Sequence, residues 1–186
     1  MSTIEWPDHL LTLDEWETLP GDERFKVELA EGVLALSPRP IPVHQRAIRS
    51  LLLALTDQLP GRLEALPEVE VLLDEAPPTI RIPDVIVVDR SASDTDLPRL
   101  TASDAHVVIE VLSDGTRRLD RVTKFAEYAD AGIPRYWLVD LADPVTVATY
   151  ALVDGTYELA GEIAGPATLR VADAEVRLDP TKLIAQ

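Results

Sequence analysis

Residues 107–140 read VVIEVLSDGTRRLDRVTKFAEYADAGIPRYWLVD and contain the strongest structural pattern of the chain. The almost continuously apolar run at about 106–112 predicts a β-strand that is covered on both faces. Helical periodicity follows over about 118–131 and ends at Gly132 and Pro134, after which RYWLVD predicts another strand. This order of strand, helix and strand predicts a helix that packs on a sheet.

Glu110 places a carboxylate inside the apolar strand. An ionised carboxylate that is removed from water costs several kcal/mol unless a cation or a metal ion pairs with it. Glu110 therefore predicts a partner elsewhere in the chain, either a basic side chain or a bound metal. The alternative is that Glu110 lies at an exposed end of the strand.

Helical and strand patterns alternate in the rest of the chain. The predicted elements are a short helix with capping-box residues Thr12 and Glu15, a β-hairpin over 25–36, an amphipathic helix over 43–59, strands over about 69–73 and 84–89, and weaker β-like segments towards the C-terminus. The order predicts an α/β (α+β) fold in which helices flank a mixed central β-sheet, with an N-terminal hairpin and extra C-terminal strands.

Composition predicts one globular domain over residues 1–186, because 46% of the residues are hydrophobic and can form a core. The absence of cysteine excludes disulfides and thiolate-metal sites and suits a reducing compartment. No apolar run approaches the roughly 18 residues that span a bilayer. The first ten residues, MSTIEWPDHL, have neither the basic start nor the apolar core of a signal peptide. A cytoplasmic protein without a membrane partner is therefore expected.

The net charge of −16 opposes a broad basic footprint on duplex nucleic acid. If nucleic acid is a partner, binding is expected to be weak and strongly dependent on salt. A homodimer is a prior expectation, since closed twofold dimers are common and two sites help to cut two strands.

Asp84, Glu110 and Lys124 form a candidate catalytic set. Two carboxylates from neighbouring strands can hold a hard divalent cation such as Mg²⁺, which prefers oxygen ligands and retains several waters. A nearby ammonium group can orient a water or stabilise charge on a phosphate. The set therefore contains the parts needed for metal-dependent hydrolysis of a phosphodiester.

The same residues resemble the motif of the PD-(D/E)XK nuclease superfamily, with Pro83-Asp84 as its first element and Glu110 as its second. The segments VELAEGVLALSP, RIPDVIVV and 107–140 further resemble a large bacterial family of restriction-endonuclease-like proteins, over about residues 10–160. This resemblance implies a restriction-endonuclease-like core with Mg²⁺, or Mn²⁺, at the carboxylates. Most of the superfamily have lysine two residues after the glutamate, where this chain has Leu112.

In this family the lysine is displaced onto the following helix, which implies that Lys124 replaces it. Asp120, Lys124 and Tyr128 are spaced to form one polar stripe. The predicted apolar face of the same helix consists of Leu119, Val122, Ala126 and Ala129. Because that face points nearly away from Lys124, periodicity alone predicts an ordinary solvated lysine.

Glu28 and His44 have two readings each. Alternation along the hairpin places Glu28 on a solvated strand face, whereas the family resemblance implies an additional ligand for metal or water. His44 lies four residues before Ile48 and therefore on the apolar face of its helix, which predicts a partly buried histidine. The resemblance implies a role for His44 in the site, as a proton shuttle or a phosphate contact.

Three functions fit these observations. The first is an Mg²⁺-dependent nuclease that hydrolyses phosphodiester bonds of DNA or RNA. The second is a catalytically inactive domain of the same fold that binds proteins or has a structural role. The third is a metal-dependent hydrolase of small phosphodiesters, which suits the negative charge better than duplex DNA does.

Overall fold

The computed structural model describes residues 7–22 and 24–185, so most of the segment MSTIEWPDHL lies outside the described residues. The helices are α1 Leu13–Thr18, α2 Pro42–Thr56, α3 Arg90–Ser93 and α4 Lys124–Asp130. The strands are β1 Phe25–Ala30, β2 Val33–Pro38, β3 Leu63–Pro67, β4 Val71–Glu75, β5 Pro78–Arg81, β6 Val85–Asp89, β7 Leu100–Thr101, β8 Ala105–Val111, β9 Arg135–Asp140, β10 Thr146–Val153, β11 Thr156–Ile163, β12 Ala167–Val171 and β13 Ala174–Leu178. Within these ranges, no helix is long and apolar enough to cross a membrane.

The described strands form three sheets. The largest has the order β11-β10-β9-β8-β6-β3, the second has the order β2-β1-β5-β4-β7, and β12 pairs with β13. In the largest sheet β8 runs parallel to β9 and antiparallel to β6. The predicted mixed central sheet is therefore confirmed, and the N-terminal hairpin belongs to the second sheet.

Strand β6 is covered on both faces, as its continuous apolar sequence predicts. Val85 and Val87 lie in a core with residues of α2, while Ile86 and Val88 lie in a core with residues of α4. Since successive strand residues point to opposite faces, the two helices cover opposite faces of the sheet. This arrangement leaves the end of β6 near Asp84 as a place where polar groups from both sheets meet.

The first helix and the hairpin also follow their sequence patterns. The hydroxyl of Thr12 accepts a hydrogen bond from the backbone N–H of Glu15, and the carboxylate of Glu15 accepts one from the N–H of Thr12, which completes the capping box. Three strands have no counterpart in the sequence prediction, namely β3, β5 and the two-residue β7. Strand β5 has four residues and begins with a proline, in the proline-rich segment APPTIRIP, a composition that is typical of a loop.

The helix predicted over 118–131 contains a π-helical turn. Residues Leu119–Thr123 form this turn, and the N–H of Lys124 donates to the carbonyl of Leu119, five residues earlier. One extra residue in the turn rotates everything that follows relative to a regular α-helix. The predicted apolar face is therefore wrong, because Val122 is 59% exposed whereas Lys124 is buried.

Candidate active site

Asp84 and Glu110 lie side by side at one end of the central sheet. Val85 pairs with Ile109 in the antiparallel register of β6 and β8, so the next pair in that register is Asp84 with Glu110. Both carboxylates are buried, with exposed fractions of 5% for Asp84 and 2% for Glu110. The two strands thus bring together the two carboxylates that the sequence motif predicts.

Asp84 is surrounded by hydrogen-bond donors. One oxygen, Oδ2, accepts from the backbone N–H of Val111 at 2.8 Å and lies 3.2 Å from Nε2 of His44. The other, Oδ1, accepts from Nζ of Lys26 at 3.1 Å. Burial would raise the pKa of Asp84, but His44 and Lys26 hold it below its usual range. Asp84 is therefore an anion at neutral pH.

His44 lies in the site and is also well buried. Its Nε2 donates to the carbonyl of Val111 at 2.8 Å, a group that can only accept, so Nε2 carries a proton. Nδ1 is buried and has no hydrogen-bond partner among the described residues. Burial acts to lower the pKa of His44, but the hydrogen bond to Asp84, the charge of Asp84 and the hydrogen bond to Val111 together raise it above its usual value. His44 is therefore a buried histidine, as periodicity predicts, and it also lies in the site in contact with Asp84.

Glu110 finds the partner that its sequence context requires. Oε1 accepts from Nζ of Lys124 and from the hydroxyl of Tyr128, both at 2.9 Å. Oε2 accepts no hydrogen bond from the described part of the chain. Burial raises the pKa of Glu110 to about 7, against the attraction of Lys124.

Lys124 is enclosed by carboxylates. Its Nζ lies 2.9 Å from Glu110, 3.0 Å from Glu28 and 3.8 Å from Asp120. Burial would lower the pKa of Lys124, but these three neighbours raise it well above its usual range, so the amine is charged. The solvated lysine that periodicity predicts is wrong, because the π-helical turn directs this side chain into the protein.

Glu28 is buried too, with an exposed fraction of 1%. Its Oε1 accepts from the backbone N–H of Ile82 at 2.8 Å, and its Oε2 lies 3.3 Å from Arg81. Burial acts to raise the pKa of Glu28, and Lys124 and Arg81 together lower it. The solvated strand face predicted for Glu28 is therefore wrong.

Sequence reasoning overlooked Lys26 and Arg81. Arg81 is 1% exposed and donates two hydrogen bonds to Glu127, at 2.7 and 2.6 Å. Lys26 precedes Glu28 by two residues and therefore shares its strand face, which was a usable signal. Alternation with apolar neighbours made that face look solvated, although it packs over the site.

A cleft with a volume of about 280 Å³ opens beside the carboxylates. The site residues that line it are Lys26, His44, Asp84, Glu110, Asp120 and Lys124. Glu28 does not line the cleft, but it contacts Lys124, which does. The four other predicted site residues, Asp84, Glu110, Lys124 and His44, all reach the cleft wall.

The charge of the cluster suits a divalent cation. Five carboxylates face three permanent cations, a net charge of −2 when all acids are ionised and His44 is neutral; the groups are Glu28, Asp84, Glu110, Asp120 and Glu127 with Lys26, Arg81 and Lys124. No group of three or more acidic or histidine side chains in the described ranges is arranged to hold a metal by itself. Two carboxylates with water ligands fit Mg²⁺, which keeps several waters when bound.

The mixed sheet between helices, with paired carboxylates at one strand end, defines a restriction-endonuclease-like protein. The chain belongs to the Uma2 family, described as "Putative restriction endonuclease", whose model matches residues 13–178. A crystal structure from Anabaena variabilis ATCC 29413, described as a putative nuclease belonging to DUF820, has the same fold with a TM-score of 0.72. It shares 20% sequence identity and covers 94% of this chain and 97% of its own. No curated protein matches the chain.

Proposed function

We propose that this protein is a nuclease that uses Mg²⁺ or Mn²⁺ to hydrolyse phosphodiester bonds of DNA or RNA. The observation that carries the proposal is the adjacent placement of Asp84 and Glu110 at the wall of a cleft, with ammonium groups beside both. Buried carboxylates whose pKa values are strongly shifted are more typical of functional sites than of ordinary surfaces. Membership of the Uma2 family agrees with this proposal.

Asp84 and Glu110 would hold the metal, which supplies an acidic bound water and polarises the phosphoryl oxygens. His44 holds Asp84 and the Val111 carbonyl in fixed positions through Nε2. Tyr128 and Lys124 fix one oxygen of Glu110 and leave the other free of hydrogen bonds from the described residues. Positioned oxygens of this kind reduce the reorganisation that metal binding requires.

Hydrolysis of small phosphodiesters is the second candidate function. The cleft of about 280 Å³ lies near the lower limit of small-molecule sites, and the net charge of −16 disfavours a long polyanion. Both candidates use the same carboxylates and the same metal. They differ only in whether a long substrate reaches the cleft.

The inactive-domain alternative is supported by the ion pairs themselves. Both carboxylates contact lysines, and a buried network of this kind can exist for structural reasons alone. Under this alternative the cluster would neither bind a divalent metal nor support hydrolysis.

The test compares wild type with Asp84→Asn and with Asp89→Asn, a matched change at the other end of β6. Each protein is incubated with Mg²⁺ or Mn²⁺ and with supercoiled plasmid, single-stranded DNA, RNA or bis(p-nitrophenyl) phosphate. Wild type and Asp89→Asn should cleave at least one substrate in a metal-dependent way, and Asp84→Asn should lose roughly 100-fold or more of that rate. Cleavage of the chromogenic ester alone would select the second candidate. No cleavage by wild type, together with no metal binding, would select the inactive domain.

A further inference from the structure

The use of lysine in this chain is selective. Fourteen of its seventeen basic residues are arginine, and the three lysines are Lys26, Lys124 and Lys182. Two of the three lie in the candidate active site, whereas the side chain of Lys182 is 80% exposed beside Asp179. Lys26 contacts Asp84 and Lys124 contacts Glu110, and each of these acids is a predicted metal ligand. The surroundings of the two lysines differ, and this difference indicates different roles.

Lys124 is held among three buried carboxylates. Its ammonium group donates to Glu110 at 2.9 Å, and it also lies 3.0 Å from the carboxylate of Glu28 and 3.8 Å from that of Asp120. Moving Lys124 towards a phosphate would leave these buried acids without their counter-ion, which is costly. Lys124 is therefore well placed to fix Glu110 and poorly placed to follow a reacting group.

Lys26 has the opposite surroundings. Its single hydrogen bond within the described residues goes to Oδ1 of Asp84 at 3.1 Å, which leaves two N–H bonds of the ammonium group available. The side chain is 12% exposed, against 4% for Lys124. It lines the 280 Å³ cleft and also a second cavity of about 870 Å³, so it lies where the two spaces adjoin.

We propose that Lys26 is the cation that contacts the phosphate of the substrate, and that Lys124 is a fixed counter-ion that positions Glu110. This inference rests on the proposed function. A divalent cation on Asp84 would repel the ammonium group that now occupies Oδ1, so Lys26 and the metal compete for that oxygen. Once separated from Asp84, Lys26 needs another anion nearby, and a phosphodiester in the cleft provides it.

The test uses Mn²⁺ calorimetry and cleavage rates on wild type, Lys26→Met and the control Lys182→Met. Removing the competing ammonium group should tighten Mn²⁺ binding by Lys26→Met several-fold, while its rate of cleavage should fall roughly 100-fold. Lys182→Met should match wild type in both measurements. Lys26→Gln, which keeps a hydrogen-bond donor for Asp84 without the charge, should show the same two effects if Lys26→Met does not fold.

The outcomes separate this inference from the function on which it rests. Unchanged Mn²⁺ affinity and unchanged cleavage in a folded Lys26 variant would overturn the inference and leave the proposed function in place. Absence of Mn²⁺ binding by wild type would overturn both, and Lys26 would then be only the counter-ion of Asp84.

Discussion

The ammonium group of Lys124 lies 2.9 Å from Oε1 of Glu110, and both side chains are almost completely removed from water. Desolvation of the two charges costs free energy that their mutual attraction alone does not always recover. The hydroxyl of Tyr128 also donates to Glu110, and the carboxylate of Glu28 lies 3.0 Å from the ammonium group of Lys124. These contacts fix the positions of Glu110 and Lys124, so loss of any one of them should disturb the site.

Replacement of Lys124 by methionine should destabilise the fold strongly. The change leaves Glu28, Glu110 and Asp120 without their shared cation, and loss of one partner of a buried ion pair typically costs about 3–5 kcal/mol. Urea unfolding of Lys124→Met should show this loss in the free energy of unfolding. The control Lys182→Met should change that free energy by no more than about 0.5 kcal/mol. Equal stability of the two variants would show that the network does not support the fold.

The stability of the metal-free protein should depend on Glu110 in a defined direction. The pKa of Glu110 is raised from its ordinary value of 4.5 to about 7 by burial, so the folded state holds this proton more tightly than the unfolded chain does. The resulting stabilisation is complete below pH 4.5 and is lost as the pH rises through about 7. The loss should amount to about 3 kcal/mol.

Comparison with Glu110→Gln isolates this effect from other titrating groups, including Asp84, whose lowered pKa acts in the opposite direction. The measurement is urea unfolding in EDTA across that pH range. The free energy of unfolding of wild type minus that of Glu110→Gln should decrease as the pH rises. A difference that stays constant with pH would contradict the raised pKa.

Arg81→Lys should weaken the support of Glu28 although the charge is kept. Arg81 binds Glu127 through two parallel hydrogen bonds and also contacts Glu28, a geometry that an ammonium group cannot reproduce. We expect a loss of about 1–3 kcal/mol in the free energy of unfolding. Arg90→Lys, at a half-exposed position, is the matched control and should be nearly neutral. Equally small changes in the free energy of unfolding for both variants would show that the two parallel hydrogen bonds of Arg81 do not contribute more than an ordinary ion pair.

Tyr128→Phe should cost more than Tyr157→Phe. The Tyr128 hydroxyl donates to the Glu110 carboxylate, whereas that of Tyr157, which is also buried, donates to the neutral carbonyl of Ile133. Hydrogen bonds to charged groups contribute about 1.5–3 kcal/mol, against about 0.5–1.5 kcal/mol for neutral pairs. Denaturant unfolding above pH 7, where Glu110 is ionised, measures both losses, and the reverse order would argue that Glu110 stays neutral there.

Much of this architecture was predictable, because the residues concerned have strong local patterns. The capping box at Thr12 and Glu15, the hairpin and the apolar strands β6 and β8 all appear where their periodicity indicates. The isolated Glu110 predicted a partner, and the structure supplies Lys124. Asp84 begins one apolar strand and Glu110 lies near the end of the next one in the sequence. The proximity of the two carboxylates was therefore predictable if these strands are neighbours in the sheet.

The surroundings of the site were harder to predict, for physical reasons. A π-helical turn at Leu119–Thr123 breaks the regular rotation per residue on which a helical face is assigned, so Lys124 was placed in solvent by periodicity. Alternating polar residues usually mark a solvated strand face, yet Lys26 and Glu28 point at other charges. Burial of polar groups in a network depends on contacts across both sheets, which local periodicity does not contain.

The proposed function requires that Asp84 and Glu110 form a divalent metal site. Mn²⁺ titration calorimetry on wild type and Asp84→Asn tests it most directly, because no substrate has to be chosen. Wild type should show saturable binding, which should disappear in Asp84→Asn while the thermal unfolding of that variant remains cooperative. Absence of binding by wild type up to millimolar Mn²⁺, or equal binding by a folded Asp84→Asn, would contradict it.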